Sequence, residues 1–283
     1  MWLCGYLEKN RKNSTGSFGK MLAVTAYWDL GGKSRGTDNH TMFMKSFEKN
    51  TVFNVDYGVY GEDSVISSIQ QIRSRNEVLQ QNGRHTHGQI MSFDEVVRLC
   101  ESEFGSDVMK NISQTSLNDK NEVTHENEVI DHCPSTELVL VWLAKVLVVR
   151  KAIESFPDYT HFGWIDAGYK GAIVDVARKW PCDSLESIQG LYIRRKGICK
   201  DKFWRAQRMQ YSMCPMGGMW FGDKKSVSEF IVHSVAIVRE NLRTGKTVCA
   251  DQDIFEMAQR RMSCDVHDSG GESYEQTYDA IFL

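Results

Sequence analysis

Two short stretches of this chain place carboxylates next to apolar segments. The first runs from His161 to Gly168 and is mostly apolar until Asp166. An apolar run bounded by turn residues is typical of a buried strand in a parallel sheet, and ligands of open α/β sheets bind beyond the carboxyl ends of such strands. There Asp166 can offer an anionic oxygen to a metal-bound diphosphate, and Gly168 leaves room for a ligand to approach the backbone. Asp166 as an ordinary turn residue is the simpler interpretation.

The second stretch is Asp251-Gln252-Asp253, at the boundary between a loop and a predicted helix over 252–261. Asp251 alone is explained as the cap of that helix, because a capping aspartate accepts hydrogen bonds from free backbone N–H groups. A cap does not explain two carboxylates and an amide within three residues. The cluster is therefore a second group of candidate site residues.

The elements that position these acids begin with a first strand, predicted at 21–27, and the loop 28–36 that leaves it. Such a loop usually faces the ligand of an α/β sheet. The candidate ligand-binding residues here are Thr25, Ala26, Tyr27 and Arg35. Thr25 can hydrogen-bond a base edge, and Tyr27 can stack on the base. Arg35 and the nearby Lys33 can either contact phosphates or lie in solvent. Gly32-Lys33-Ser34 does not complete a P-loop, because the first glycine of that motif would fall at Tyr27.

The clearest predicted helix spans 135–155, and its apolar face carries Lys145. Burying a lone lysine is costly, so Lys145 either snorkels to the surface, which is the commoner outcome, or meets an anion. Further along the chain, Gly217 and Gly218 stand within an apolar stretch and indicate a close approach of the backbone to a ligand or a strand.

Periodicity and caps predict further elements. They are strands at 51–57 and 189–194, helices at 39–49, 65–79, 93–104, 169–179 and 226–242, and a long polar loop at 105–133. Ser92 is the expected N-cap of the helix at 93–104, and Gly245 fits a stop after the helix at 226–242.

Composition narrows the class of protein. The formal net charge of −3 argues against a non-specific nucleic-acid binder, and no apolar run is long enough to span a membrane. The eight cysteines are scattered without a CxxC pair, so neither a zinc site nor a redox motif is indicated. This pattern favours free thiols in a reducing, cytoplasmic compartment. The stretch from Glu8 to Lys20 is rich in Lys, Asn, Ser and Gly and has little to bury, so residues 1–20 are predicted to be a disordered extension, or Met21 an alternative start, ahead of a single domain over 21–283.

Four stretches resemble, in order and spacing, the HtrL/WlaTC-like glycosyltransferase family: Val24 to Leu30, Ser135 to Gly168, Gly217 to Gly222 and Asp251 to Ile254. The resemblance covers roughly residues 21–260 and is strongest at Trp-Ile-Asp-Ala-Gly and Asp-Gln-Asp. It implies an α/β fold, a single Rossmann-like domain of the glycosyltransferase A type with a mixed, mostly parallel central sheet flanked by helices.

The resemblance also implies a donor site for a nucleotide sugar, with uridine as the expected nucleoside and Mn²⁺ as a frequent cofactor. Asp166 stands where the first acid of the metal-binding motif falls, but Gly168 replaces the second acid. His267 is the nearest candidate for a further metal ligand. The leaving diphosphate would be stabilised by a metal at Asp166 or by cations such as Lys145.

By the same resemblance, Asp251, Gln252 and Asp253 lie beside the donor sugar, whose acceptor is the hydroxyl of a glycan or another molecule. In a retaining enzyme, which the Asp-Gln-Asp match favours, these residues hold sugar hydroxyls and orient the developing oxocarbenium ion. In an inverting enzyme one acid would act as general base on the acceptor hydroxyl.

Two other functions stay open. A sugar nucleotidyltransferase would carry a glycine-rich, basic loop after the first strand, and Gly31 to Arg35 is a faint match to it. A non-catalytic nucleotide-sugar-binding protein is favoured by the missing second acid at Gly168 and disfavoured by the intact Asp251 and Asp253.

Overall fold

The fold is described from a computed structural model of the chain. It describes residues 20–31, 44, 45, 47, 55–120, 135–167, 185, 188–196, 214–246, 248 and 251–268. The predictions that fall outside these residues concern the extension at 1–19, Lys33, Arg35, Gly168, the helix at 169–179 and most of the helix at 39–49.

The described strands form one mixed sheet. They are β1 (Met21–Tyr27), β2 (Asp56–Gly61), β3 (Thr86–Ile90), β4 (His161–Ile165), β5 (Leu191–Lys196), β6 (Cys214–Asp223) and β7 (Val266–Asp268). Their order across the sheet is β3-β2-β1-β4-β6-β5-β7. Strands β1 to β4 pair in parallel, β6 is antiparallel to β4 and β5, and β7 is parallel to β5. The predicted mixed, mostly parallel sheet is confirmed.

Helices flank this sheet. They are α1 (Asp63–Ser74), α2 (Glu77–Gln81), α3 (Phe93–Phe104), α4 (Val108–Lys120), α5 (Thr136–Ser155), α6 (Lys224–Arg243) and α7 (Asp251–Gln259). The larger apolar core lies between the sheet and α3, α5, α6 and α7, and a second core lies on the other face, against α1. No helix within the described ranges is both long enough and apolar enough to cross a membrane.

Helix α5 is the central helix of the larger core. The Ser135 hydroxyl accepts a hydrogen bond from the Leu138 backbone N–H at 3.2 Å and caps the helix. Every residue from Leu143 to Val149 is buried, because α5 packs on the sheet and also against α3 and α6. A helix covered on so many sides leaves a lysine in its middle, Lys145, no route to the surface.

Several boundaries differ from the sequence expectations. The strand predicted at 51–57 is β2 at 56–61, and the one predicted at 189–194 is β5 at 191–196, because pairing with neighbouring strands selects the register. The helix predicted at 65–79 is divided at Asn76, whose side chain accepts from the Leu79 N–H and starts α2. The predicted loop at 105–133 contains α4, since the buried Val108 and Ile112 lie four residues apart among polar neighbours.

Other local predictions are confirmed. Ser92 caps α3 in a reciprocal capping box with Glu95. The helix expected at 226–242 is α6, and Gly245 follows it with a φ of +68°, a conformation that favours glycine.

Asp223, at the end of β6, holds three segments together. Its carboxylate accepts from the Ser226 N–H at 3.0 Å, from the Ser226 hydroxyl at 2.6 Å and from the Gly190 N–H at 2.7 Å. Burial opposes ionisation, but these hydrogen bonds outweigh it and hold the pKa of Asp223 below its ordinary value.

We expect Asp223→Ala to lower the free energy of unfolding by about 1–2 kcal/mol at pH 7, because it removes the cap of α6 and the link to Gly190. A carboxylate with a lowered pKa contributes stability above its unfolded pKa and loses it as pH falls through its folded pKa. The difference between wild type and variant in urea unfolding should therefore shrink below about pH 4. A difference independent of pH would contradict an ionised cap.

Candidate active site

The acids singled out in the sequence meet at the carboxyl edge of the sheet. Strand β4 ends at Ile165, and Asp166 follows it directly. Strand β6 runs in the opposite direction, so its early residues, Gly217 and Gly218, lie at the same edge, and the Asp166 N–H donates to the Gly218 carbonyl at 2.8 Å. Helix α7 begins here with Asp251.

A buried lysine joins the two acidic stretches. The Lys145 ammonium lies 2.9 Å from Asp166 Oδ1 and 2.6 Å from Asp251 Oδ2, and it also donates to the Gly217 carbonyl at 3.4 Å. Lys145 is only 4% exposed. The expectation that it snorkels to the surface is therefore wrong, and the alternative, that it meets anions, is confirmed.

The two carboxylates keep Lys145 charged. Burial by itself would lower the pKa of Lys145, but Asp166 and Asp251 outweigh that effect and raise it above its ordinary value. For Asp251, burial raises the pKa, the positive charge of Lys145 opposes this, and Asp166 adds to the increase. The ammonium is thus the fixed charge of the group, and Asp251 depends on it to remain ionised in a dry environment.

Gly217 makes this close approach possible. A Cβ at this position would lie 2.2 Å from Asp251 Oδ2 and 2.6 Å from Asp251 Cγ, well inside van der Waals contact. The predicted close approach to a ligand or a strand is therefore a close approach to the Asp251 carboxylate. Any side chain here would push Asp251 away from Lys145.

Asp166 is the open member of the group. Its side chain is 33% exposed, against 8% for Asp251. The Trp164 indole N–H donates to Asp166 Oδ1 at 2.6 Å. A ligand arriving from solvent would therefore meet Asp166 before it met Lys145 or Asp251.

Asp253 and Gln252 share the first turn of α7 with Asp251. Two residues along a helix correspond to a rotation of about 200°, so Asp253 projects from a different side of α7 than Asp251 does. Asp253 is 8% exposed and Gln252 is half-buried. The assignment of these residues to donor binding or catalysis remains a prediction.

The first-strand candidates lie at the same edge with buried side chains. Thr25 is 1% exposed, and its hydroxyl has no hydrogen-bond partner among the residues described. Ala26 packs in the larger core. Burial and the nearby Asp29 raise the pKa of Tyr27 to about 12, and its ring centroid lies 6.3 Å from that of Phe47. Their role in binding a nucleotide remains a prediction, as does that of Arg35 and Gly168.

His267 does not join Asp166. It lies on β7, three strand positions from β4, roughly 14 Å away at the usual strand spacing. Its ring stacks on Tyr192 with centroids 4.5 Å apart, and its Nε2 lies 3.0 Å from the Gln189 carbonyl oxygen. The hypothesis that His267 and Asp166 share a metal is corrected on this geometry.

The described residues do not by themselves form a metal centre. Across those ranges, no group of three or more His, Cys, Asp or Glu side chains is arranged to hold a metal ion. The carboxylate of Asp166 already accepts a hydrogen bond from Trp164 and contacts the ammonium of Lys145. A metal ion bound to Asp166 would therefore be repelled by the positive charge of Lys145. This donor set alone does not fit a divalent metal.

The contacts of Trp164 and Gly217 with the acids were not foreseen from the sequence. Strand alternation offered one signal, because Trp164 and Asp166 are two residues apart and lie on one face of β4. No sequence signal indicated the contact of Gly217 with Asp251, since this contact depends on how β6 packs against α7.

Comparisons with known proteins bear on the fold only loosely. No family model matches the chain, and no curated protein matches it. Among solved structures, it is similar to mouse xyloside xylosyltransferase 1 in the apo form, with 8% identity, 94% of this chain and 93% of that chain covered, and a TM-score of 0.47.

Two further solved structures show similarity of the same order. For the Mn/GDP form of core-mannan synthase A from Aspergillus fumigatus, identity is 6%, coverage is 88% of this chain and 71% of that chain, and the TM-score is 0.49. For 4-diphosphocytidyl-2C-methyl-D-erythritol synthase from Anaerococcus prevotii, identity is 10%, coverage is 93% and 97%, and the TM-score is 0.35. At these values the function proposed below depends on the residues of this chain.

We expect Lys145→Met to destabilise the protein by about 3–5 kcal/mol, because it leaves the buried Asp251 without its counter-charge. Asp251→Asn in the same chain should restore part of this loss, so that the double variant is more stable than the sum of the single changes predicts. Urea unfolding of the two single variants and the double variant measures this coupling.

The control is Arg261→Met, which breaks the exposed pair with Glu240, whose side chains are 42% and 43% exposed. It should cost at most about 1 kcal/mol. If the losses of unfolding free energy from Lys145→Met and Asp251→Asn simply added in the double variant, a shared buried ion group would be contradicted.

Proposed function

We propose that this chain is a glycosyltransferase that moves a sugar from a nucleotide-sugar donor to a hydroxyl of a glycan or another acceptor. The observation that carries the proposal is the ion group formed by Lys145, Asp166 and Asp251 at the carboxyl edge of the sheet. It joins the two sequence stretches, Trp-Ile-Asp-Ala-Gly and Asp-Gln-Asp, on which the family resemblance is strongest. In open α/β sheets this edge is where ligands bind.

The charge of the group suits the sugar half of the donor. One ammonium against two carboxylates leaves a net negative charge, and the exposed oxygens belong to Asp166. Carboxylates accept hydrogen bonds from sugar hydroxyls and stabilise positive charge at an anomeric carbon. We therefore assign Asp166 to the donor sugar, and Asp251, through Lys145, to holding Asp166 in place.

The diphosphate half needs positive charge from elsewhere, because Lys145 is neutralised by its two partners. Arg35 and Lys33, in the loop after β1, are the proposed phosphate ligands. We propose Mn²⁺ as a cofactor that would hold the diphosphate through ligands other than the ion group of Lys145, Asp166 and Asp251. Thr25 and Tyr27 would hold the base, with uridine as the expected one.

Asp253 and Gln252 remain the proposed catalytic residues at the first turn of α7. In a retaining reaction they would orient the sugar and the departing diphosphate, and in an inverting reaction Asp253 would accept the acceptor's proton. We favour retention on the Asp-Gln-Asp match. We also propose a cytoplasmic location, on the scattered cysteines, of which Cys100 and Cys264 are free in the described ranges.

We expect one nucleoside diphosphate and its sugar conjugates to raise the melting temperature in a panel of nucleotides measured with and without Mn²⁺. A ligand that binds only the folded state stabilises it by about 2.7 kcal/mol at a hundredfold excess over its Kd. Asp166→Asn should weaken the effect of the sugar nucleotide more than that of the free diphosphate, because Asp166 is assigned to the sugar. No stabilisation by any nucleotide would refute the donor site.

We expect Asp253→Asn to abolish turnover while nucleotide binding persists, which distinguishes an enzyme from a binding protein. The control is Asp94→Asn, which makes the same change in the first turn of α3 at an exposed position, whereas Asp253 is buried in the first turn of α7. Turnover is followed by chromatography of the released nucleotide. Formation of a sugar nucleotide and pyrophosphate from a nucleoside triphosphate and a sugar 1-phosphate, with no nucleoside diphosphate released from sugar nucleotides, would identify a sugar nucleotidyltransferase. Full activity of Asp253→Asn would remove this residue from the mechanism.

A further inference from the structure

The alternation of β4 places a tryptophan beside the exposed acid. Phe162 and Trp164 face the larger core and α5, whereas Ile165 faces the opposite core. Since residues two apart in a strand share a face, Trp164 and Asp166 both project to the side on which Lys145 lies.

Trp164 and Lys145 both hold the Asp166 carboxylate. The Trp164 indole N–H donates to Asp166 Oδ1 at 2.6 Å, whereas the Lys145 ammonium donates to Oδ2 at 3.2 Å and lies 2.9 Å from Oδ1. The ammonium also lies 5.9 Å from the centroid of the Trp164 ring. Trp164 is 2% exposed, so the indole is itself fixed by packing, whereas the carboxylate retains an open side.

We propose that Trp164 is a positioning residue of the donor site, which fixes the carboxylate plane of Asp166 through its indole N–H. The terminal torsion of an aspartate has a broad energy profile, so a single donor leaves the carboxylate free to turn. With the Trp164 N–H on Oδ1 and the Lys145 ammonium on Oδ2, the carboxylate is held in one orientation, and its exposed part is offered to the donor sugar. This inference rests on the proposed function, because it takes Asp166 as a donor contact.

Trp220 offers a matched control. It is the partner of Trp164 across β4 and β6, is fully buried, and packs on Phe230 and Phe255 with ring centroids 5.1 and 6.0 Å apart. Its indole nitrogen has no hydrogen-bond partner within the described structure. Trp→Phe at either position removes similar apolar area, but only Trp164→Phe removes a hydrogen bond to Asp166.

The first test compares Trp164→Phe with Trp220→Phe. Both variants should lower the melting temperature by a similar amount. Only Trp164→Phe should also lower kcat/KM, by about tenfold, which is the size expected for the loss of one hydrogen bond to a charged group. The substrate is UDP-glucose, or the sugar nucleotide that stabilises the protein most in the panel. Equal losses of kcat/KM in the two variants would overturn the proposal, since packing alone would then explain them.

A second test is independent of activity. In protein labelled with ¹⁵N-tryptophan, the indole resonance of Trp164, assigned by its absence in Trp164→Phe, should shift strongly in Asp166→Ala, while that of Trp220 should not. An unmoved Trp164 resonance would overturn the positioning role. If the wild-type protein bound no nucleotide, the proposed function would be refuted, but the contact between Trp164 and Asp166 would not. The Trp164 resonance would still show whether Trp164 holds Asp166.

Discussion

The buried ammonium of Lys145 is the interaction on which the site depends. A lysine that is 4% exposed would be strongly destabilising without partners, and here two carboxylates and a backbone carbonyl surround it. Each neighbouring feature serves this arrangement: Gly217 lacks the Cβ that would displace Asp251, and the Trp164 indole N–H donates to Asp166. The charges of this group and the packing around it therefore depend on each other.

The sheet explains why these groups meet. Parallel strands β1, β2 and β4 end at one edge, and the antiparallel β6 starts there, so that chain segments arrive from both directions. At the opposite edge, Asp223 joins the end of β6 to α6 and to the segment before β5. Strand β6 therefore connects the edge that carries the ion group to the turn that Asp223 holds.

Sequence patterns predicted the parts of the fold that are decided locally. The cap at Ser92, the helix after Ser135 and the strand before Asp166 were all placed correctly, because apolar period and capping chemistry are local properties. The sequence left open whether Lys145 snorkels or meets an anion, since that choice is decided by elements distant in sequence. The same holds for His267, which was grouped with Asp166 by residue type and is separated from it by the order of strands.

The ion group also constrains how the protein can be made. Lys145 and Asp166 are 21 residues apart, but Asp251 follows Lys145 by 106 residues, so it is synthesised much later. Until α7 emerges from the ribosome, Lys145 has one of its two acids, and packing α5 into a dry core would be unfavourable. The chain should therefore complete its larger core only when α7 docks, and truncation before α7 should leave a product susceptible to proteases.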